Sequence, residues 1–373
     1  MSRFGDAWRR FFGEERDALV LGLLRLAIST LLFFNGLRLI LELSRDGYFA
    51  DYFHIPILPE EWLPGRSGYQ LLLGVQALAS LCAFLGWWPR EALLSASSLG
   101  LYFLLCDRLQ YHNNRYALLL LGLLLAFTPC DRAFSFIRGR GHTLPREQRI
   151  APTFARRLFQ IQVSLIYLGS TAGKLLDSDW RSGQVLLMRF GQAPGIWALH
   201  GFPLPAWVIV ILTSGWFASF AAKAAIASEL FIALGMWPPR TRRLALWLGV
   251  IFHASIEISA KVELFSWLMA ASYLAFVVPD VRERRFEFAP GHAGAQLLAR
   301  LVALFDWCAR FDRAPLSSAA EGAAFYVTNR EGQRASGALG LAQLAEAIPL
   351  FFPLWLPLAL YAKLTAKAAR AHG

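Results

Sequence analysis

One stretch constrains this chain more than any other: Gln160–Ile161–Gln162–Val163–Ser164–Leu165–Ile166–Tyr167–Leu168–Gly169–Ser170–Thr171–Ala172–Gly173–Lys174. It is apolar enough to lie in a membrane. Yet Gln160, Ser164, Tyr167, Thr171 and Lys174 recur at steps of four, three, four and three residues. On an α-helix that spacing collects all five on one face. Amides and an amine facing hydrocarbon are costly, so such a stripe points into protein or a watery cavity. A lysine at a helix end can also snorkel to the interface and do nothing else. Snorkelling, however, places no demand on Gln160, Ser164 or Tyr167.

The rest of the chain has the solvent preference that this stretch requires. Of 373 residues, 56% are hydrophobic and only 17% charged, with a mean hydropathy of +0.42. A soluble protein of this size carries more charge, and several apolar runs approach the ~20 residues of a spanning helix. The expected fold class is therefore an all-α integral membrane bundle of about eight transmembrane helices. The spans are placed at about Ala18–Leu43, Tyr69–Trp88, Ala92–Cys106, Ala117–Thr128, the polar-striped stretch, a long and broken or tilted Ala206–Trp237, Leu244–Val262 and Leu264–Val278. Asp177–Leu204, with Gly183, Pro194 and Gly195, reads as a loop.

The net charge of +11 is read as arginine-rich cytoplasmic loops facing anionic membrane lipid, not as a nucleic-acid surface. Basic residues cluster before the first span, between Asp131 and Arg157, at Arg240–Arg243 and after Val278. That count places both termini on the cytoplasmic side of a membrane, read as a bacterial inner membrane. Residues 1–17 read as an interfacial basic-aromatic segment with no cleavable signal, and 18–285 as the membrane domain. Residues 286–373 read as a small α+β segment: a helix at Ala293–Arg310, a strand at Phe325–Thr328, a turn at Asn329–Gly332 and a helix at Leu339–Ile348. Pro349–Pro357 is apolar but proline-rich and is expected to lie against the membrane or the core without spanning. Cys82, Cys106, Cys130 and Cys308 show neither CxxC nor zinc-ligand spacing.

Chemistry is expected near Lys174. On this topology His112–Asn113–Asn114–Arg115, Lys174, and Glu257 with Lys261 share one depth, with His253 deeper, so a base, a proton relay and cations could line one outward-facing pocket. Burial favours the neutral, basic form of an amine. His253, Glu257 and Lys261, four apart, could equally be a structural ladder, and Lys223 is expected to pair with Glu257. Phosphate-loop, GxSxG and HExxH motifs are missing from the sequence, and no metal site is expected.

Three blocks, in order, resemble the vitamin K-dependent gamma-carboxylases and their bacterial relatives, the horizontally transferred transmembrane domain family. Tyr111–Tyr116 followed by Leu125–Ala126–Phe127 is similar to that family's Asn-Asn-His-Tyr block. Gln162–Gly183, with Tyr167, Lys174 and Asp179–Trp180, is similar to its Gln-Tyr-Lys-Asp-Trp-Gly block; Glu229–Leu230–Phe231 and Phe252–His253 are similar to its Glu-Leu-Phe and Phe-His pair. The resemblance spans roughly residues 18–285. It implies Lys174 as a base that takes a proton from a substrate carbon before carbon dioxide adds, driven by oxygenation of a reduced, vitamin K-like quinone. It further implies the block holding His112, Asn114 and Arg115 as catalytic positions and Tyr167, Trp180 and His253 as pocket, to which helix spacing and topology add Thr171, Glu257 and Lys261. The substrate implied is an exported peptide or a lipid-soluble molecule; the rival is a non-catalytic accessory in peptide maturation, export or immunity, and a transporter comes third. The chain departs from the family pattern at Arg115, where a histidine is expected, and in the six-residue step from Lys174 to Trp180. The tail, through Val327–Gly332, Ser336–Gly337 and Leu344–Pro353, resembles DCC-type thiol–disulfide oxidoreductase-like domains without their CxxC, which implies no dithiol redox activity.

Overall fold

The computed structural model describes residues 3–43, 47–50, 53–136, 143–199, 203–260, 264–316 and 322–371. The chain divides into two compact units, Met1–Val277 and Val278–Gly373. The second thus begins ahead of the boundary expected at 285/286.

The first unit is nearly all helix. In order it holds α1 (Arg3–Gly13), β1 (Glu15–Asp17), α2 (Leu19–Leu43), α3 (Arg66–Leu85), α4 (Pro89–Cys106), α5 (Asn113–Ala126), α6 (Arg146–Arg149), β2 (Ile150–Pro152), α7 (Phe154–Leu176), α8 (Ser178–Ser182), α9 (Gln184–Leu199), α10 (Ala206–Leu212), α11 (Gly215–Gly235), α12 (Pro239–Ala260) and α13 (Leu264–Ser272), which tightens into a 3-10 turn over Tyr273–Phe276. The helices α2 to α5 pack in sequence, while α7 packs on α11, and α11 on α12. A departure from all-α is the two-stranded antiparallel pair β1–β2, with Arg16 opposite Ala151.

Among the described residues, four helical stretches are long and apolar enough to cross a membrane: the one beginning with α2, then α3, α11 and residues 349–367. The other expected spans fall on helices that are shorter, such as α5 and α13, or that carry more charge, such as α7 with Arg156, Arg157 and Lys174. The region 177–204, expected as a loop, is corrected to helix across α8 and most of α9, with Pro194 inside α9. Proline is tolerated in apolar helices when neighbours satisfy the freed carbonyl. The anticipated break in the sixth span falls at Thr213–Ser214, between α10 and α11.

Close approach at small residues holds the helices together. A Cβ on Gly122 would strike the Ser97 side chain, and one on Gly86, at φ +78°, would come 2.8 Å from Ser135. Gly183, at φ +90°, caps α8, and a Cβ there would meet the Ser219 backbone. That glycine lets the chain turn from α8 into α9 hard against α11.

Arginines close the ends of segments. The fully buried Arg25 donates to the carbonyls of Cys130 at 3.0 Å and Phe134 at 2.7 Å. Arg156 donates to Ala275 and Val277 at 2.8 and 2.7 Å, and Arg242 to Met236 and Trp237 at 2.9 and 2.7 Å. Helix-end carbonyls lack intrahelical partners, and away from water each unsatisfied one is expensive.

The second unit carries a four-stranded sheet in the order β4–β3–β5–β6, from β3 (Arg284–Phe288), β4 (Phe311–Pro315), β5 (Phe325–Thr328) and β6 (Arg334–Ala335). Strands β3 and β4 are parallel and joined through α14 (Ala293–Phe305); β3–β5 and β5–β6 are antiparallel. Phe286, Val302, Phe311, Val327, Leu344 and Ile348 form its core, the last two contributed by or just after α15 (Gly337–Ala347). The sequence reading missed β3 and β4 and ran α14 too far, because Arg284 and Arg285 read as loop charge. Residues 349–371 are continuous helical structure, a 3-10 turn leading into α16 (Trp355–Ala371). The proline-rich stretch is helical and belongs to a segment, residues 349–367, that is long and apolar enough to cross a membrane. Its Pro357 falls in the first turn of α16, where a missing N–H costs nothing.

Two predictions follow from this packing. Asp17 and Arg149 form a buried bidentate pair at 2.8 and 2.7 Å. Asp17→Ala should therefore lower unfolding free energy by ~3–5 kcal/mol, while pairing it with Arg149→Met should recover most of the loss, both read by thermal denaturation in detergent. Cys308 is fully buried, and burial pushes its thiol up to about 11. It should resist alkylation at neutral pH until the tail is unfolded, and thiol-exchange assays should give no turnover.

Candidate functional site

In α7 the buried face is the polar one. Gln160, Ser164, Tyr167 and Thr171 are buried, while Leu165, Leu175 and Leu176 are 52%, 48% and 84% exposed. That inversion suits a helix with lipid outside and protein inside. Gln160, Ser164, Tyr167 and Lys174 then find separate partners among the described residues, and Thr171 does not. Gln160 Nε2 donates to the Ala275 carbonyl at 2.7 Å. Ser164 Oγ donates to the Ala233 carbonyl at 3.1 Å and accepts from Trp237 Nε1 at 2.9 Å. The Tyr167 hydroxyl lies 2.6 Å from His253 Nε2 and hydrogen-bonds the Tyr273 hydroxyl. Thr171 Oγ1 is buried without a hydrogen-bond partner among the described residues.

Lys174 ends the stripe. Its Nζ sits 2.7 and 2.8 Å from the two carboxylate oxygens of Glu229 on α11 and 2.5 Å from Ser170 Oγ, which itself donates to Glu229 at 3.1 Å. The Trp180 ring covers the amine, its centroid 4.9 Å away. The two side chains are only 14% and 7% exposed. The sequence reading expects an amine held out of bulk solvent beside hydroxyls of its own helix; the structure adds a carboxylate partner, Glu229, from α11. Glu229 and Ser170 hold Lys174 Nζ in place, and Trp180 covers one side of it.

The hydroxyl chain needs room. A Cβ on Gly249 of α12 would run into the Tyr273 ring, so that glycine admits the tyrosine. With the proton of His253 on Nε2, donated to Tyr167, the buried Nδ1, which has no hydrogen-bond partner among the described residues, strands no N–H.

The remaining predicted residues lie elsewhere. His112, Asn114, Arg115 and Glu257 line a cavity of about 1030 Å³ together with Arg38, Arg189, Phe34 and Trp267. Lys174, Tyr167, Thr171, Trp180 and His253 are not among its lining residues, so the single pocket expected from the sequence is corrected to two neighbourhoods. Helix α12 carries one residue of each, His253 at the tyrosines and Glu257 a turn later at the cavity. The His253–Glu257–Lys261 ladder is corrected at its first rung, since His253 bonds a tyrosine; Lys261 lies outside the described residues. Lys223 does not pair with Glu257 among the described residues; it donates to Ser219 at 3.2 Å on its own helix. Sequence reasoning missed Ser170, Tyr273 and Gly249. Ser170 was detectable, four residues before Lys174 on the same face; the other two carried no local signal.

The family model described as "HTTM domain" matches residues 14–281. Neither a curated protein nor a solved structure matches the chain.

The buried pair gives a stability prediction. Glu229→Ala strands the ammonium and should cost ~3–5 kcal/mol, read as a lowered melting temperature in detergent. The double change Lys174→Met, Glu229→Leu should restore most of it.

Proposed function

The chain belongs to the HTTM domain family, which is related to the vitamin K-dependent gamma-carboxylases, and on that premise we propose that it is a membrane enzyme that removes a proton from a substrate carbon at Lys174. The observation that carries this reading is the shielded Lys174–Glu229 pair at 2.7 Å. An ammonium is not a base as it stands. It becomes one by passing its proton to Glu229, leaving amine and carboxylic acid, a neutral pair that a dry site tolerates better than separated charges. The amine then takes the substrate proton, and the carbanion is free to add carbon dioxide. Tyr167, two turns back along α7 from Lys174, with His253 and Tyr273 bonded to its hydroxyl, is a separate polar group deeper in the bundle and not part of this proton transfer.

The substrate in this reading is an exported peptide or a lipid-soluble molecule presented on the outer side, with about eight helices or half-helices in the membrane and both termini cytoplasmic. The arginine distribution supports that orientation. A reduced quinone is the proposed co-substrate. A cavity of about 590 Å³ lined by Tyr48, Tyr69, Phe103 and Leu39 has the size and ring-rich walls that suit a quinone head. A bound quinol would supply the electrons for oxygen reduction that drives proton removal in the related carboxylases.

A second reading has its own support. Lys174 is fully satisfied by Glu229 and Ser170, and Arg115 stands where the family pattern has histidine. Both features suit a non-catalytic accessory in peptide maturation, export or immunity.

Mass spectrometry of a peptide encoded beside this protein, with and without it, tests the proposal. Gain of one carboxyl mass is expected with the wild-type chain. Lys174→Ala at normal membrane yield should abolish the gain, and unchanged product would establish the accessory role instead.

A further inference from the structure

The cavity of about 1030 Å³ sets charges of both signs on its wall. Arg189 of α9 and Glu257 of α12 both line it, yet they form no ion pair with each other, and Glu257 Oε2 is buried without a hydrogen-bond partner among the described residues. No hydrogen bond or ion pair of Arg189 occurs among the described residues. A buried carboxylate oxygen with no donor is costly, and a ligand carrying an N–H donor would relieve it. Near Arg189 the wall also carries Arg38 and Arg115, both bridged to Glu42 at 2.8 and 4.0 Å, together with Asn113 and Asn114. A guanidinium presents five donors, and those of Arg189 are the ones available to an anion here.

The remaining wall is apolar: Leu31 and Phe34 from α2, Leu264 and Trp267 from α13. Phe34 and Trp267 are 57% and 65% exposed, and α2 is long and apolar enough to cross a membrane. An aqueous ligand would gain nothing from such a rim, whereas acyl chains would. We propose that this cavity binds a phospholipid with a zwitterionic head group that ends in a primary ammonium. Its phosphate pairs with Arg189, its ammonium donates to Glu257, and its chains run along Phe34 and Trp267. The proposal extends the enzymatic reading by giving the second neighbourhood a lipid ligand, and its binding readout does not depend on catalysis.

The full-length protein in detergent is exchanged into nanodiscs containing equal amounts of phosphatidylethanolamine, phosphatidylcholine and phosphatidylglycerol, and retained lipid is measured by native mass spectrometry. Phosphatidylethanolamine should be retained over both others, because choline has no N–H and glycerol no positive charge. Glu257→Gln should reduce that preference about tenfold, the worth of one charge-assisted hydrogen bond. Arg189→Gln should weaken retention of all three. Melting temperature checks that each variant is folded, and Glu257→Asp, keeping the charge, should keep part of the preference. Equal retention of the three lipids, no retained lipid, or a preference unchanged by Glu257→Gln in a folded variant would overturn the proposal. Lys174→Ala should retain phosphatidylethanolamine as the wild type does, whether or not product formation depends on that lysine.

Discussion

The polar face of α7 has to be satisfied inside the protein, because the medium on its other side offers no hydrogen bonds. That constraint accounts for the arrangement of the helices around it. Gln160 reaches the turn after α13, Ser164 the end of α11, Tyr167 the tyrosine and histidine contributed from beyond α13 and from α12, and Lys174 the carboxylate on α11. A single face thus fixes the rotation of α7 against its neighbours, and the apolar face is left outward by default. Apolar packing alone would specify that rotation poorly, since hydrocarbon is as good a neighbour for leucine as another leucine.

The same requirement explains the buried arginines. Arg25, Arg156 and Arg242 in the first unit, and Arg310 in the second, direct guanidinium N–H groups at main-chain carbonyls near segment ends. In water such carbonyls would be hydrated; here a planar, five-donor cation does that work. The charge excess of the chain therefore serves two purposes. Part of it sits in loops, where it can set orientation, and part is consumed within the protein as caps.

For chemistry, the consequence is that charge near α7 is paired before any substrate arrives. The Lys174–Glu229 pair is held by Ser170 and covered by Trp180, so its charges are met within the chain. The cavity lined by Arg189 and Glu257 is the opposite case, with charges of both signs on one wall and no ion pair between these two. One neighbourhood is complete within the chain, and the other has donor and acceptor capacity left over.

The polar stripe was legible in the sequence because helical periodicity is local: residues three and four apart share a face whatever surrounds them. Solvent class, the broken sixth span and the strand and turn at Phe325–Gly332 were legible for similar reasons. Asp177–Leu204 misled because Gly183, Pro194 and Gly195 signal a loop in water, while in this setting glycine caps one helix and proline sits within the next. The sequence by itself determined which face of α7 had to be buried. Only the tertiary structure decided what met it: Glu229 lies 55 residues from Lys174 and Tyr273 lies 106 from Tyr167, separations across which no periodicity carries information, because those pairings depend on how whole helices are placed against one another.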